Sequence, residues 1–332
     1  MNKVIILLGP TGVGKTEVSI LLAKALDTEI ISADSMQIYR GMDIGTAKPS
    51  EEQRMDIRHH MIGVVSPSEP YSAGRYIEDV TPVIDELHRK GKIPVIAGGT
   101  GLYIKAMTRG IFSGPSADWK LREELASLEE GQSGALYSYL QELDPEAASK
   151  VMPADTRRII RALEVFLKTK KGISEFHQKL TTPLPYEFIK IGLRRERKEL
   201  YKMIEKRVDK MIDEGLVEEV KKLTSLVLNS KLSPRRVAEG DQTPNGLDRP
   251  NFGLSCMQAI GYKEIVMYIN GEIPLEEAIR LIKRNTKRYA KRQFTWFKKE
   301  ENILWIDITG IQDVNEILKR ARQLLDGLIN EA

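Results

Sequence analysis

The chain has 332 residues, 41% of them hydrophobic, and 51 Lys and Arg against 47 Asp and Glu give a formal net charge of +4; this is a soluble globular composition, long enough for one large α/β domain with an insertion or for two ordinary domains. A single cysteine, Cys256, excludes an internal disulfide and any multi-cysteine metal site, and His59, His60, His88 and His177 stand in no HExxH or carboxylate-spaced pattern. No apolar run approaches the length of a bilayer span, so no membrane partner is expected and a cytoplasmic chain is the default.

Taken in order, Val4-Ile5-Ile6-Leu7-Leu8 reads as a strand buried on both faces, and Gly9-Pro10-Thr11-Gly12-Val13-Gly14-Lys15-Thr16 directly behind it fits the phosphate-loop pattern GxxxxGK[ST]. Glycines there let successive backbone N–H groups turn inward as an anion nest, Lys15 supplies a point charge, and the Thr16 hydroxyl can hold Mg²⁺. Thr16 to Leu26 carries Val18, Leu21, Leu22 and Ala25 at helical spacing. Further short runs with little alternation occur at Glu29 to Ala33, Ile93 to Ala97, Phe188 to Leu193 and Ile303 to Ile306. Separated by helix-length segments, they predict a P-loop NTPase-like α/β fold, a parallel sheet flanked by helices. Ligands in such sheets sit outside the carboxyl ends of the strands, which singles out Gly9 to Thr16, Asp34 to Gln37 and Gly98 to Tyr103.

From Ser113 to Lys150 the strand signals cease, and Trp119 to Leu125 and Ala135 to Leu143 read as short helices. A helical insertion over the ligand edge is expected at roughly 113–184, clearest over 113–150, interrupting a core of residues 1–112 and 185–332 with basic C-terminal helices. Around Lys231 to Ser255, Pro234, Pro244 and Pro250 break any periodicity, as in a long exposed loop. Between Arg280 and Lys299 stand nine Lys or Arg residues and no acid. Ile282, Thr286, Tyr289, Gln293 and Phe297 fall on one stripe of that helix, and Lys283, Lys287, Lys291 with Arg284, Arg288, Arg292 on another, so one side can dock while the other tracks phosphates. Two smaller basic clusters, at Arg157, Arg158 and Arg161 and at Arg194 to Lys198, add to the case for a polyanion much larger than a nucleotide.

In chain order, GPTGVGKT, Asp34-Ser35-Met36-Gln37-Ile38-Tyr39, Gly45-Thr46-Ala47-Lys48-Pro49, Gly98-Gly99-Thr100-Gly101-Leu102-Tyr103, Arg161-Ala162-Leu163-Glu164, Gln258-Ala259-Ile260-Gly261-Tyr262-Lys263-Glu264 and Tyr289-Ala290-Lys291-Arg292-Gln293-Phe294-Thr295-Trp296-Phe297 resemble the motifs of the bacterial tRNA dimethylallyltransferase family. Arg58, Lys287 and the length of the segment from Lys231 to Ser255 are its departures. The resemblance implies transfer of a dimethylallyl group from its diphosphate to N6 of adenosine 37. It also implies Mg²⁺ as cofactor, and a monomer whose partners are dimethylallyl diphosphate and the tRNA anticodon stem-loop.

Under that implication Gly9, Pro10, Thr11, Gly12, Val13, Gly14, Lys15 and Thr16 bind the diphosphate, with Thr16 holding the metal. Lys15 and Thr100 assist the reaction, and Asp34 takes the amine proton as the carbon–nitrogen bond forms. Asp34 after a strand also suits a water-mediated Mg²⁺ contact. Ser35, Met36 and Gln37 line the adenine pocket, the Gln37 amide being able to read a base edge. Arg122, Arg157, Arg158, Ile159, Ile160, Arg161, Arg207, Lys287, Arg288, Lys291 and Arg292 contact the RNA. Three alternatives share the phosphate loop: a small-molecule kinase, a prenyl transferase for free adenine nucleotides, and an RNA-binding ATPase that only senses nucleotide.

Overall fold

Six parallel strands, ordered β3-β2-β4-β1-β5-β6, organise the computed structural model, which describes residues 2–112, 114–179, 181–231 and 255–329. The strands are β1 (Lys3–Leu8), β2 (Ile30–Ala33), β3 (His59–His60), β4 (Val95–Gly98), β5 (Glu187–Arg194) and β6 (Ile303–Asp307). Helices in the same unit are α1 (Lys15–Ala25), α2 (Glu51–Asp56), α3 (Ala73–Arg89), α10 (Arg197–Asp213), α11 (Leu216–Lys231), α12 (Tyr262–Ile269), α13 (Leu275–Phe297) and α14 (Val314–Ile329). This unit comprises 2–104, 185–231 and 256–329, and residues 105–184 form a second one. Between them in sequence runs α4 (Gly101–Arg109); the second unit holds α5 (Trp119–Gly131), α6 (Ala135–Leu143), α7 (Pro145–Lys150), α8 (Thr156–Thr169) and α9 (Ile173–Lys179).

Strand β1 is the centre of the sheet because Val4 to Leu8 are all apolar and all fully buried, a pattern only helices on both faces can satisfy. Ile5, Leu7, Ile191 and Leu193 pack with Val18 and Leu22 of α1, Leu200 and Ile204 of α10, and Ile317, Ala321 and Leu325 of α14. Each such side chain contributes about 1.5–3 kcal/mol by leaving water. Strand β3 escaped the sequence reading because two histidines carry no periodic signal; it pairs with Ile30 and Ile31 at the sheet edge. The segment expected as a loop lies, over 232–254, outside the described residues. No helix among the described residues is long and apolar enough to cross a membrane.

The second unit is all helix. Asp118, Asp144 and Asp155 cap α5, α7 and α8 by accepting from the amides of Leu121, Ala147 and Arg158, each worth ~1 kcal/mol. Its core gathers Leu125, Leu136, Leu140, Ile159, Ile160 and Leu163. Ile159 and Ile160 are each 1% exposed, which corrects the expectation that they contact RNA: the apolar face of α8 needs them inside.

Candidate active site

Register brings the three singled-out segments together. Leu8 pairs with Gly98 and Ala33 with Gly98, so β1, β2 and β4 end level, and the phosphate loop, Asp34 and the Gly99-Thr100 turn leave the sheet side by side. In the loop, Gly12 (φ 79°) and Gly14 (φ 104°) adopt the left-handed conformation that turns amides toward one point at the start of α1. The Lys15 ammonium donates to the carbonyls of Gly9 and Pro10, both at 2.9 Å. Burial lowers its pKa to about 8, Asp34 opposing the shift and Arg207 adding to it. A buried ammonium with so little solvation gains strongly from an anion in the nest.

Asp34 is half-buried, and its Oδ1 accepts from the amides of Met36 (2.9 Å) and Gln37 (3.3 Å). Those two bonds fix the carboxylate, and its Oδ2 accepts none among the described residues. Thr100 braces the same turn: its Oγ1 accepts from the Ser35 amide at 2.9 Å and its own N–H donates to the Ala33 carbonyl at 3.1 Å. Arg207 of α10 donates to the Thr46 carbonyl at 3.4 Å and shares the field of Asp34; burial lowers its pKa against the pull of that carboxylate. Arg207 is thus grouped electrostatically with Lys15 and Asp34, beside the phosphate loop. Burial, and then the nearby Asp34, raise the Tyr289 phenol above its ordinary range.

Gln37 does not present its amide to a base. Its Nε2 donates to the carbonyls of Thr46 (3.3 Å) and Ala47 (3.2 Å) and its Oε1 accepts from Ser32 (3.1 Å), so it holds the following loop in place. Gln293, met in the sequence only as a member of the docking stripe, sits inside the site. It is 7% exposed, its Oε1 accepts from the Thr11 amide and its Nε2 donates to the Gly99 carbonyl, both at 2.8 Å. An amide on the apolar stripe of α13 was the signal.

A metal has few protein ligands to choose from. No group of three or more His, Cys, Asp or Glu side chains could hold one among the described residues. The Thr16 hydroxyl, in the first turn of α1, makes no hydrogen bond there and is left to a cation that brings phosphate oxygens and water with it. That donor set fits Mg²⁺, which keeps waters and binds through substrate phosphates.

The cationic residues divide into two groups. Arg122 and Arg161 are answered by an acid of their own unit: Arg122 donates to Glu164 at 2.9 and 2.8 Å and lies 4.9 Å over the Trp119 ring, and Arg161 donates to the same carboxylate and to the Pro115 carbonyl. Arg194, Arg195 and Arg197 are likewise engaged, with Asp307, Glu199 and Tyr201. Lys283 and Lys287 pair with Asp209 and Glu205 of α10. Arg157 is exposed, and Arg158, also exposed, meets only its own cap residue Asp155, at 3.2 Å. On α13, Arg288 and Lys291 are exposed and pair with no acid among the described residues, and Arg292 lies 5.7 Å over the Tyr289 ring. These side chains line two open grooves of about 470 and 460 Å³ that follow the helix.

Comparison with known proteins gives one answer. The model of the family described as IPP transferase matches residues 37–300. The chain is 53% identical, over 99% of both chains, to the tRNA dimethylallyltransferase of Thermodesulfovibrio yellowstonii, and 44% identical to that of Thermotoga maritima over 97% of this chain and 98% of the other. Among solved structures it is similar to a tRNA isopentenylpyrophosphate transferase from Bacillus halodurans (TM-score 0.67, 39% identity, 98% and 96% covered). A eukaryotic dimethylallyltransferase solved acting on tRNA also matches (TM-score 0.78, 30% identity, 99% and 80% covered).

Proposed function

Because the chain belongs to the IPP transferase family, we propose that it transfers a dimethylallyl group from dimethylallyl diphosphate to N6 of adenosine 37, beside the anticodon of a tRNA, and releases diphosphate. The observation that carries this reading is the pinned carboxylate of Asp34, which leaves the sheet beside the phosphate loop and lies within the electrostatic reach of Lys15 and Arg207. In the reaction the bond between the allylic carbon and the diphosphate oxygen breaks, and the bond from that carbon to N6 forms. Negative charge grows on the leaving diphosphate, where the amides of the loop, Lys15 and Arg207 oppose it. Mg²⁺ held through Thr16 supplies further charge neutralisation when bound.

The adenine amine is a weak nucleophile whose lone pair is delocalised into the ring; it becomes acidic as the new bond forms. The unoccupied Oδ2 of Asp34 is the acceptor for that proton, with Oδ1 held still by two amides. The target base must leave its stack to reach the pocket, at a cost of a few kcal/mol, which the exposed cations of α13 and of the α8 N-terminus help to offset by holding the RNA backbone. A tRNA substrate fits an enzyme of the cytoplasm.

The test is direct. Protein, Mg²⁺, dimethylallyl diphosphate and unmodified tRNA are incubated, and the digested nucleosides are weighed. The expected product is adenosine heavier by one dimethylallyl group in place of a hydrogen. ATP with a panel of alcohols is the control, and phosphoryl transfer there without a modified base would overturn the reading.

A further inference from the structure

We infer that Glu219 of α11 is a positioning residue, holding Arg207 in register with Asp34 through a turn that Glu219 and Arg207 both grip; the inference rests on the proposed role of Arg207 opposite the leaving diphosphate. The turn runs from Asp43 to Lys48. Its Ala47 N–H donates to the Ile44 carbonyl at 2.9 Å and its Lys48 N–H to the Asp43 carbonyl at 3.0 Å, so the amides at its start find no carbonyl within it, as at the start of a helix. Glu219 answers that end. Its Oε2 accepts from the N–H groups of Asp43 (2.9 Å) and Ile44 (2.7 Å), and its Oε1 from the Gly45 N–H (3.1 Å) and the Tyr262 hydroxyl (2.6 Å). Arg207 answers the other end by donating to the Thr46 carbonyl at 3.4 Å. A carboxylate on the amides and a guanidinium on the carbonyl match the dipole of the turn.

The carboxylate is held in its turn. Tyr262 is fully buried, and burial, then Glu219, raise its phenol above the ordinary range, which keeps it a donor. Gly45 lies against the same ring: a Cβ there would stand 2.6 Å from Tyr262 Cε2, so glycine is what lets this N–H come within reach of Glu219. Four donors on one carboxylate leave the turn little freedom to swing. Its Thr46 carbonyl is therefore a fixed point, and two parts of the site are measured from it. Gln37, whose backbone N–H holds Asp34 Oδ1, reaches that carbonyl through Nε2 at 3.3 Å, and Arg207 reaches it from α10. Without Glu219 the three amides and the phenol lose their acceptor and the carbonyl is free to move. The guanidinium then keeps its charge but loses its place relative to Asp34.

The experiment uses the full chain carrying Glu219→Gln, Arg207→Gln, or both. Glu219→Gln replaces one accepting oxygen by an NH₂, so hydrogen exchange at the amides of Asp43, Ile44 and Gly45 should quicken about tenfold, with β1 and α13 unchanged. Single-turnover transfer at saturating tRNA and dimethylallyl diphosphate should slow by roughly 10–100-fold, while KM for tRNA changes less than about threefold. In the Arg207→Gln background the same substitution should slow transfer less than about threefold, because it acts through that guanidinium. A merely structural role would lower the melting temperature without that dependence on Arg207. Unchanged exchange at the three amides, an unchanged rate, or rate losses that multiply in the double variant overturn the inference. If Glu219→Gln does not fold, Tyr262→Phe takes its place, since it removes one donor and leaves the ring beneath Gly45; the same outcomes decide. If the natural chain modifies no tRNA, it is the proposed function that fails, and the cycle is read in the exchange of the three amides, where independent effects of the Glu219 and Arg207 substitutions overturn the inference.

Discussion

Replacing Arg122 by methionine separates a residue that holds the helical unit together from one that holds RNA. Glu164 is fully buried and accepts from the Asp118 amide at 2.7 Å, from Arg122 at 2.9 and 2.8 Å, and from Arg161. Losing Arg122 removes two charge-assisted bonds, and Glu164 keeps the Asp118 amide and Arg161. The cost should therefore fall below the ~3–5 kcal/mol of stripping a buried charge of its partner, at about 2–3 kcal/mol. In a unit of this size each kcal/mol moves the midpoint by ~4–8 °C, so its transition should fall by about 10–20 °C, read by calorimetry or by hydrogen exchange across residues 105–184. A double-mutant cycle with Glu164→Gln should give a coupling of at least ~1 kcal/mol. The salt dependence of RNA affinity should not change, because Arg122 neutralises a carboxylate and no phosphate. A variant within ~0.5 kcal/mol of the natural stability, with a flatter salt slope, would refute the reasoning.

Glu164 has a pH signature as well: burial alone would raise its pKa, but hydrogen bonds from Arg122, the Asp118 amide and Arg161 outweigh burial and hold it below the ordinary 4.5, so its stabilising contribution is complete above that value and is lost as pH falls through the depressed one. Glu164→Gln should remove this component from an acid titration of unfolding. Asp34→Asn should keep tRNA and diphosphate binding and slow transfer by ~10²–10⁴-fold in single-turnover assays; unchanged turnover would remove Asp34 from the proton-acceptor role. Lys15, lowered to about 8 by burial, should make diphosphate affinity of the free protein decline as pH rises above that value, by up to about tenfold per unit, and Lys15→Met should bind weakly with no such dependence. Through the same shift, the buried cation costs stability below about 8, so this contribution to stability rises with pH between there and 10.5. Arg288→Ala and Lys291→Ala should leave the melting temperature unchanged and each reduce the salt slope of tRNA binding by about one, measured by filter binding across a salt series.

The parts of this molecule that were legible beforehand are those whose chemistry is local in sequence. A phosphate loop must follow a strand and open a helix, so Val4 to Thr16 announces both its shape and its ligand, and the level ends of β1, β2 and β4 then bring Asp34 and Thr100 to it. Charge density was a weaker guide, because the sign of a side chain does not say who answers it. Arg122 and Arg161 read as RNA contacts until Glu164, the lone acid on the buried face of α8, is placed beneath them. Ile159 and Ile160 were assigned along with the basic segment Arg157 to Arg161, although two adjacent isoleucines in an amphipathic helix serve the core first. Gln37 and Gln293 show the same limit: what an amide does depends on which carbonyls and N–H groups arrive from elsewhere, Thr46 and Ala47 in one case and Thr11 and Gly99 in the other.

Helix α13 resolves a puzzle in its own composition, the mixture of lysines and arginines along one strongly basic surface. The two lysines facing α10, Lys283 and Lys287, are matched one to one by Asp209 and Glu205, and Lys287 also lies 5.5 Å over the Tyr201 ring. Point charges on flexible stems suit such docking, where the partner carboxylate comes from a neighbouring helix at a fixed spacing. Arg284, Arg288 and Arg292, one residue further round, are exposed, and planar guanidinium forks are the better match for phosphate oxygens. The inward stripe of the same helix carries Gln293 on Thr11 and Gly99, and Trp296 close against Gly101, where a Cβ would come within 2.5 Å of the indole. A helix of 23 residues is a stiff rod of about 35 Å, so its exposed cations and the amide bonded to the phosphate loop move as one body. Arg292 and Gln293 are adjacent in the chain, so under the proposed function an RNA phosphate held by Arg292 would stand at a fixed distance from the phosphate loop, with no hinge between them.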